Sequence, residues 1–145
     1  MEQQNEIRDK KIVKEILLVE DCAIQVKALC RFLCLLEYQV EIARDAKTAI
    51  QFIQNKPYTL IVTDLGLPDD SGELVIEETR KSEFNQLTPL IVCTGHADSK
   101  KEEKCKKLGA QTVLIKPIYI EMFKKAIEEC LMNRQLDLSV DHEAA

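Results

Sequence analysis

Residues 60–68 read LIVTDLGLP, where an apolar run ends in the carboxylate of Asp64, and this arrangement points to the fold. Three further apolar runs end in polar residues of the kinds that phosphoryl chemistry uses: residues 16–19 before Glu20 and Asp21, residues 90–93 before Thr94, and residues 113–115 before Lys116. If the four runs are parallel strands of one sheet, these side chains emerge at the same edge, where open parallel sheets bind ligands. The pattern therefore predicts an acidic pocket with a hydroxyl and an ammonium group beside it.

Apolar runs alternate with segments of helical period along the chain, which is the pattern of repeated βα units. Five strands are predicted, at Glu15–Val19, Gln39–Ala43, Leu60–Thr63, Leu90–Thr94 and residues 113–115. Four are continuous apolar runs, as expected of strands covered on both faces, whereas the second alternates and is predicted to lie at an edge. The predicted fold class is therefore α/β, a five-stranded parallel sheet with five helices packed on both of its faces.

The fourth predicted helix, Ser99–Leu108, has little to bury. It carries five lysines and two glutamates, with only Cys105 and Leu108 as apolar residues, and Gly109 is positioned to end it. A solvated surface is one interpretation of this charge. The other is a mobile or partner-binding surface, because thinly anchored elements open most readily.

We predict a single domain of residues 14–133 with tails at residues 1–13 and 134–145, although residues 135–142 are also compatible with an extension of the last helix. A chain of 145 residues buries about 68–70% of the surface of its unfolded form and needs no metal or disulfide to hold its core. The net charge of −5 argues against general nucleic-acid binding. No apolar run approaches the ~20 residues of a membrane span, and the amino terminus lacks signal-peptide features, so we expect a soluble cytoplasmic protein.

The six cysteines are interpreted as reduced, because Cys30, Cys34, Cys93, Cys105 and Cys130 fall inside predicted helices or strands. Cys30 and Cys34 lie one helical turn apart, so a metal-binding pair is one interpretation. No CxxC motif and no matching histidine pair accompany them, which favours a packing role.

Three neighbouring carboxylates at one sheet edge repel one another unless a cation joins them. Mg²⁺ meets this need, because it prefers oxygen ligands and typically uses one or two carboxylates together with water and phosphate oxygens. Asp21 and Asp64 are the candidate direct ligands, with Glu20 acting through water. An aspartate can also act as a nucleophile and form an aspartyl-phosphate, whose oxygens the Lys116 ammonium and the Thr94 hydroxyl would stabilise.

Together these motifs resemble those of the receiver domains of two-component response regulators. The matching residues are Glu20-Asp21, residues 63–68, residues 93–96 and Lys116-Pro117, and in this order they form a highly specific set. The resemblance covers residues 14–133. It implies a flavodoxin-like receiver fold with strand order 2-1-3-4-5, in agreement with an edge position for the second strand, and a cis Lys116–Pro117 bond.

The resemblance also implies a role for each site residue. Asp64 is expected to accept a phosphoryl group from a phosphohistidine, in a self-catalysed transfer that is not enzymatic turnover. Asp21, Asp64 and the backbone carbonyl of Gly66 are expected to hold Mg²⁺. Thr94 and Lys116 are expected to bind the phosphoryl oxygens.

Several positions depart from the receiver pattern. Val113 stands where most receivers carry the aromatic residue that moves inward on activation, and Gly95 replaces a small alanine. Glu20 replaces the more common aspartate, an exchange that receivers tolerate. Gly66 and His96 occupy the positions that flank the path of the hydrolytic water in this family, so we expect them to set the lifetime of the phosphorylated state. A solvated loop position without a role is the alternative for His96.

The expected phosphodonor is a histidine kinase or a histidine phosphotransfer protein, docking on the first helix at residues 23–36. The fourth helix, fifth strand and fifth helix would then contact a downstream protein, in a monomer or a phosphorylation-dependent dimer. The chain is either a stand-alone regulator or a receiver segment of a hybrid histidine kinase.

The sequence leaves two other functional classes as alternatives. A pseudo-receiver that is never phosphorylated would act only through protein contacts, but the intact Asp64, Thr94 and Lys116 argue against it. A flavodoxin-like cofactor binder is disfavoured, because the residues after the first strand are acidic where a phosphate cradle needs free backbone N–H groups.

Overall fold

A computed structural model describes the backbone of residues 14–144 and the side chains of residues 14–134. Strands and helices alternate strictly along this part of the chain. The strands are β1 (Glu15–Val19), β2 (Gln39–Ala43), β3 (Leu60–Thr63), β4 (Leu90–Thr94) and β5 (Thr112–Ile115). The helices are α1 (Ala23–Leu35), α2 (Ala46–Asn55), α3 (Gly72–Lys81), α4 (Ser99–Leu108) and α5 (Ile120–Ala144). The predicted tail at residues 1–13 lies outside the described residues.

The strands form one parallel sheet in the order β2-β1-β3-β4-β5, which confirms the predicted topology. β1, β3 and β4 are almost completely buried because helices cover both faces of the sheet. β2 forms one edge, as its alternating sequence predicted. β1 and β3 pair in register from Ile16 with Leu60 to Val19 with Thr63, so the residues that follow these two strands emerge side by side.

Two apolar cores lie on opposite faces of the sheet. On one face, α1 and α5 pack through Leu29, Leu33 and Phe123, which are fully buried. On the other face, α2 and α3 contribute several buried residues, but α4 contributes only Cys105. The lysine-rich sequence predicted that α4 would bury few residues. With only Cys105 fully buried, α4 is the least anchored of the described helices.

Capping side chains mark the starts of α2, α3 and α4, and a glycine marks the end of α4. Asp45, the predicted N-cap of α2, accepts a hydrogen bond from Thr48 N at 2.6 Å. Ser71 and Asp98 cap α3 and α4 in the same way. Gly109 follows α4 with a φ of 125°, a conformation that glycine adopts without strain, and it ends this helix as predicted.

The element boundaries differ from the sequence predictions by small amounts, except at the carboxyl end. α1 ends one residue earlier than predicted, before Glu37 adopts a φ of 67°, and β5 begins one residue earlier. α5 continues to Ala144, so the predicted tail at residues 134–145 is helical as far as residue 144, in agreement with the alternative extension over residues 135–142. No glycine or proline follows Pro117 to stop this helix. All six cysteines are free, as predicted.

Candidate functional site

The predicted site residues meet at the carboxyl edge of the sheet. Backbone pairing carries the strands up to this edge: Asp64 N donates to the last carbonyl of β1 at 2.9 Å, and Lys116 N donates to Thr94 O at 2.8 Å. Carboxylate oxygens of Glu20, Asp21 and Asp64 lie within 4.8 Å of one another. Among the described side chains, this is the one group of three acidic, histidine or cysteine residues close enough to share a cation.

Lys116 bridges two of these carboxylates from the end of β5. Its Nζ lies 2.5 Å from Glu20 Oε1 and 3.0 Å from Asp64 Oδ2. The three side chains are largely buried, with 15%, 2% and 13% of their surfaces exposed in that order. Charge-assisted hydrogen bonds are strong in such surroundings, so the ammonium is held against Asp64.

The electrostatics of this cluster favour a cation. Burial raises the pKa of Glu20, and the Asp64 carboxylate acts in the same direction, while Lys116 opposes both. Burial alone would lower the pKa of Lys116, but its hydrogen bonds to the two carboxylates outweigh that effect and raise it. Three carboxylates against one ammonium leave two formal negative charges uncompensated. A divalent ion relieves this repulsion, and a donor set made of hard oxygens fits Mg²⁺.

The loop after β3 holds the Asp64 carboxylate through its own backbone. Asp64 Oδ1 accepts hydrogen bonds from Leu65 N at 2.7 Å and from Gly66 N at 3.3 Å. The loop closes where Gly72 N donates to Leu65 O at 2.8 Å and where Gly66 and Ser71 form a bridge. The other carboxylate oxygen, Asp64 Oδ2, faces the Lys116 ammonium.

Gly72 is a position that the sequence analysis missed. A Cβ there would lie 2.0 Å from the carbonyl oxygen of Asp64, a distance that the backbone would have to shift to avoid. Glycine therefore allows α3 to begin directly against Asp64. The available signal was a glycine immediately after the Ser71 cap, because glycine permits a close approach of two backbone segments.

Thr94 lies at the same edge, but its hydroxyl donates to the carbonyl oxygen of His96 at 3.3 Å rather than to Asp64. Thr94 is 6% exposed, so this contact satisfies a buried hydroxyl within its own loop. His96 and Gly66 are both exposed. The structure therefore brings Thr94 to the pocket without directing its hydroxyl at the carboxylates.

β5 carries Val113 at the position where the resemblance would place an aromatic residue. Val113 is half-buried and packs against the core on the α2 face of the sheet. Tyr119 is 66% exposed and does not fill that space. The Lys116–Pro117 peptide bond is cis, as the resemblance implied.

Known proteins share this sequence pattern. A sequence model of the response regulator receiver domain matches residues 16–128. The probable chemotaxis protein CheY of Rhizobium etli is 27% identical over 115 residues, which cover 79% of this chain and 89% of that protein. A probable cyclic di-GMP phosphodiesterase of Vibrio cholerae is 27% identical over 120 residues, which cover 83% of this chain but 27% of that protein. The chain thus spans only about a quarter of the length of the second relative.

A solved structure shares the fold as well. It is the receiver domain of a sensor histidine kinase from Pseudomonas aeruginosa PAO1, with a magnesium ion coordinated in the active site cleft. Its TM-score to this chain is 0.76 at 27% sequence identity, with 83% of this chain and 98% of that chain covered. Within residues 14–144, no helix has both the length and the apolar character needed to cross a membrane.

Proposed function

This chain belongs to the response regulator receiver domain family of two-component systems, and we propose that it is a phosphorylation-dependent signalling switch with Asp64 as the phosphoacceptor. One observation carries the proposal: the Asp64 carboxylate lies at the carboxyl edge of the sheet, beside two further carboxylates and the Lys116 ammonium. This setting combines a nucleophile, oxygen ligands for a cation and a positive charge for the transferred group.

In the proposed transfer, an oxygen of Asp64 attacks the phosphorus of a phosphohistidine. The phosphorus–nitrogen bond breaks, and the imidazole of the donor leaves with the electron pair of that bond. Lys116 remains protonated because its pKa is raised, so its ammonium is available to the phosphoryl oxygens. Thr94 would contribute once its hydroxyl turns from the His96 carbonyl toward the phosphoryl group.

Asp21, Asp64 and the carbonyl of Gly66 would hold Mg²⁺, with Glu20 acting through water. When bound, the ion neutralises charge on the phosphoryl oxygens. The proximity of the three carboxylates and the exposure of Asp21 and Gly66 at the rim of the pocket support this assignment. Glu20 is nearly fully buried and already paired with Lys116, which suits a supporting role better than direct ligation.

The proposed docking surface for the phosphodonor, a histidine kinase or a histidine phosphotransfer protein, is α1. This helix begins two residues after Asp21, and it exposes 78% of Ile24 and 65% of Leu35. A groove of about 670 Å³ runs along it, lined in part by Lys27 and Arg31. A partner seated there would bring its phosphohistidine close to the acidic pocket.

The proposed output surface is formed by α4, β5 and α5. A downstream protein or a second copy of the chain would bind this surface according to the phosphorylation state of Asp64. The same chemistry serves a stand-alone regulator similar to CheY and a receiver segment within a longer histidine kinase. In both cases the receiver modifies its own Asp64, and enzymatic turnover would arise only if it is part of a hybrid histidine kinase.

Intact mass measured after incubation with a small-molecule phosphodonor and Mg²⁺ tests the phosphoacceptor. One added phosphoryl group is expected in the wild type and in Asp70→Asn, a control that changes a nearby carboxylate in the same loop. None is expected in Asp64→Asn, which keeps the shape of the side chain but lacks the nucleophile. If the folded wild type stays unmodified even with a phosphorylated phosphotransfer protein, the proposal fails and a pseudo-receiver is favoured.

A further inference from the structure

Asp69 joins the loop after β3 to the amino terminus of α2. Its Oδ1 accepts a hydrogen bond from Ala46 N at 2.8 Å, and its Oδ2 accepts one from Lys47 N at 3.0 Å. The next donor, Thr48 N, is bound by Asp45. Two carboxylates thus cover the first three N–H groups of α2, and one of them comes from a segment 22 residues away.

Helix α2 does not need Asp69 in order to begin, because Asp45 already occupies its N-cap position. The carboxylate of Asp69 acts on the loop after β3 instead. It ties the tip of residues 65–71 to a helix that is packed against the sheet through Ala49 and Ile53.

The same loop carries Gly66, whose carbonyl is a proposed Mg²⁺ ligand. The base of the loop is held where Gly72 N donates to Leu65 O, and its tip is held by Asp69. A loop fixed at base and tip presents its carbonyl groups in one arrangement, which is how residues outside the ligand set tune a metal site.

The start of α2 is itself connected to the acidic pocket. Glu20 N donates to Ala43 O at 3.0 Å, at the end of the strand that leads into α2. Asp69 therefore closes a ring of contacts that runs from Glu20 through the start of α2 to the loop of Asp64.

We propose that Asp69 is a positioning residue for the cation site: by binding the first turn of α2, it holds the loop that presents the Gly66 carbonyl. The inference rests on the proposed function, because it takes Mg²⁺ to bind in the acidic pocket. It adds a role for a residue that is not a proposed ligand of the ion or of the phosphoryl group. The hydrogen bonds from Ala46 and Lys47 also lower the pKa of Asp69, so its carboxylate is charged at neutral pH.

Mg²⁺ titration of the unphosphorylated protein, followed by calorimetry or backbone amide shifts, tests this role. Asp69→Ala is expected to weaken Mg²⁺ binding about tenfold. Asp69→Asn keeps one acceptor oxygen and is expected to weaken it less. Asp70→Asn removes the same charge from the neighbouring position but keeps an acceptor for Ser71 N, and a change below about threefold is expected, which separates positioning from simple electrostatics.

A second control separates loop positioning from helix capping. Asp45→Ala removes the N-cap of α2 but leaves the loop contact in place, so it should lower stability without changing Mg²⁺ affinity. Hydrogen exchange at the Gly72 amide of the metal-free protein is an independent readout, and only Asp69→Ala should accelerate it.

Wild-type Mg²⁺ affinity together with wild-type Gly72 exchange in Asp69→Ala would overturn the inference. A wild-type protein that binds no Mg²⁺ is a different failure, because it would refute the proposed cation site itself and the inference with it.

Discussion

Polar groups are paired differently at the two ends of the parallel strands, which we call the amino edge and the carboxyl edge of the sheet. At the amino edge, Asn85 is fully buried and its side-chain amide is fully hydrogen-bonded. Its Nδ2 donates to Ile53 O at 2.7 Å and to Lys56 O at 2.8 Å. Its Oδ1 accepts from Tyr58 N and from the Thr88 hydroxyl, both at 2.9 Å. This side chain ties together the end of α2 and the segments that lead into β3 and β4.

Arg80 adds a second attachment at the amino edge. Its guanidinium joins the end of α3 to the loop before β4 and to the turn after α4. The acceptors are the backbone carbonyls of Gly109 at 2.7 Å, Thr88 at 2.8 Å, Gln86 at 3.1 Å and Asn85 at 3.3 Å, together with the side-chain Oε1 of Gln111 at 3.3 Å. A half-buried cation with this many acceptors fixes three segments at once.

At the carboxyl edge, three carboxylates lie together, and the Lys116 ammonium pairs with two of them, Glu20 and Asp64. Polar groups that are fully hydrogen-bonded stabilise a fold. An excess of negative charge is unfavourable until a bound cation compensates it. The amino edge therefore holds the fold together, and the carboxyl edge is available for chemistry. Substitutions at the two edges should separate stability from phosphoryl acceptance.

The largest expected effect is at the amino edge. Asn85→Ala should lower the free energy of unfolding by about 3 kcal/mol, because buried backbone groups of Ile53, Lys56 and Tyr58 lose their partners. Phosphorylation of the folded fraction should stay at the wild-type level. Urea denaturation measures the first quantity and intact mass the second, with the exposed Gln86→Ala as control. A stability loss no larger than that of the control would contradict the stabilising role of Asn85 at the amino edge.

The next effect is at the carboxyl edge. Lys116→Met leaves the buried Glu20 without its ammonium and should cost about 2 kcal/mol in the metal-free protein. A carboxyl group whose pKa is raised in the folded state stabilises the fold below its unfolded-state pKa, and this contribution is lost as the pH rises through the folded-state pKa. The stability loss should therefore be larger at about pH 8 than at about pH 5.

Urea denaturation at the two pH values measures this effect, with the exposed Lys124→Met as the matched control. Added Mg²⁺ should recover part of the stability of Lys116→Met, because it compensates the same carboxylates. A loss that is independent of both pH and Mg²⁺ would show that Lys116 acts through packing alone.

A smaller effect is expected in the first turn of α3, where α4 is attached to it. Glu73 accepts hydrogen bonds or ion pairs from Lys101 at 2.8 Å and Lys104 at 2.9 Å, while Cys105 is the one buried residue of α4. Since both lysines are solvent-exposed, Glu73→Gln should cost only about 0.5–1 kcal/mol and should accelerate amide exchange in α4. Glu78→Gln is the control, because its carboxylate lies 3.9 Å from Lys81 on the same helix.

The pH dependence of this attachment has the opposite sign to that of Glu20. The hydrogen bonds from Lys101 and Lys104 lower the pKa of Glu73 below its ordinary value of 4.5. Its contribution is therefore present above about pH 4.5 and lost as the pH falls through the lowered pKa. The stability difference between the wild type and Glu73→Gln should shrink in acid, and a constant difference would argue against the ion pairs.

The smallest expected effect concerns the lifetime of the phosphorylated state. His96 is exposed at the rim of the pocket, and its carbonyl accepts the Thr94 hydroxyl. If its imidazole covers the path of the hydrolytic water, His96→Ala should speed loss of the phosphoryl group about threefold, which corresponds to less than about 1 kcal/mol of barrier. Equal hydrolysis rates in the wild type and His96→Ala would show that His96 is a solvated loop residue without this role.

Local patterns in the sequence were sufficient to predict the strands, the α/β fold and the residues that meet at the carboxyl edge. A buried parallel strand is a continuous apolar run, and the polar residue after it must emerge at the edge. Asp64 and Lys116 could therefore be placed together although they are 52 positions apart. The thin anchoring of α4 was visible in its lysines for the same reason, since helical periodicity is read from neighbouring residues.

The pairing of distant polar atoms, by contrast, depends on the tertiary structure. Lys116 reaches Glu20 across 96 positions, Asp69 reaches Lys47 across 22, and Asn85 reaches Ile53 across 32. A hydrogen bond requires its donor and acceptor to be placed within a few tenths of an ångström, which depends on several packed elements at once. The need for glycine at Gly72 has the same origin, because it comes from the carbonyl of Asp64 lying against the start of α3. Periodicity belongs to neighbouring residues, whereas these contacts exist only after the sheet has brought separate segments together.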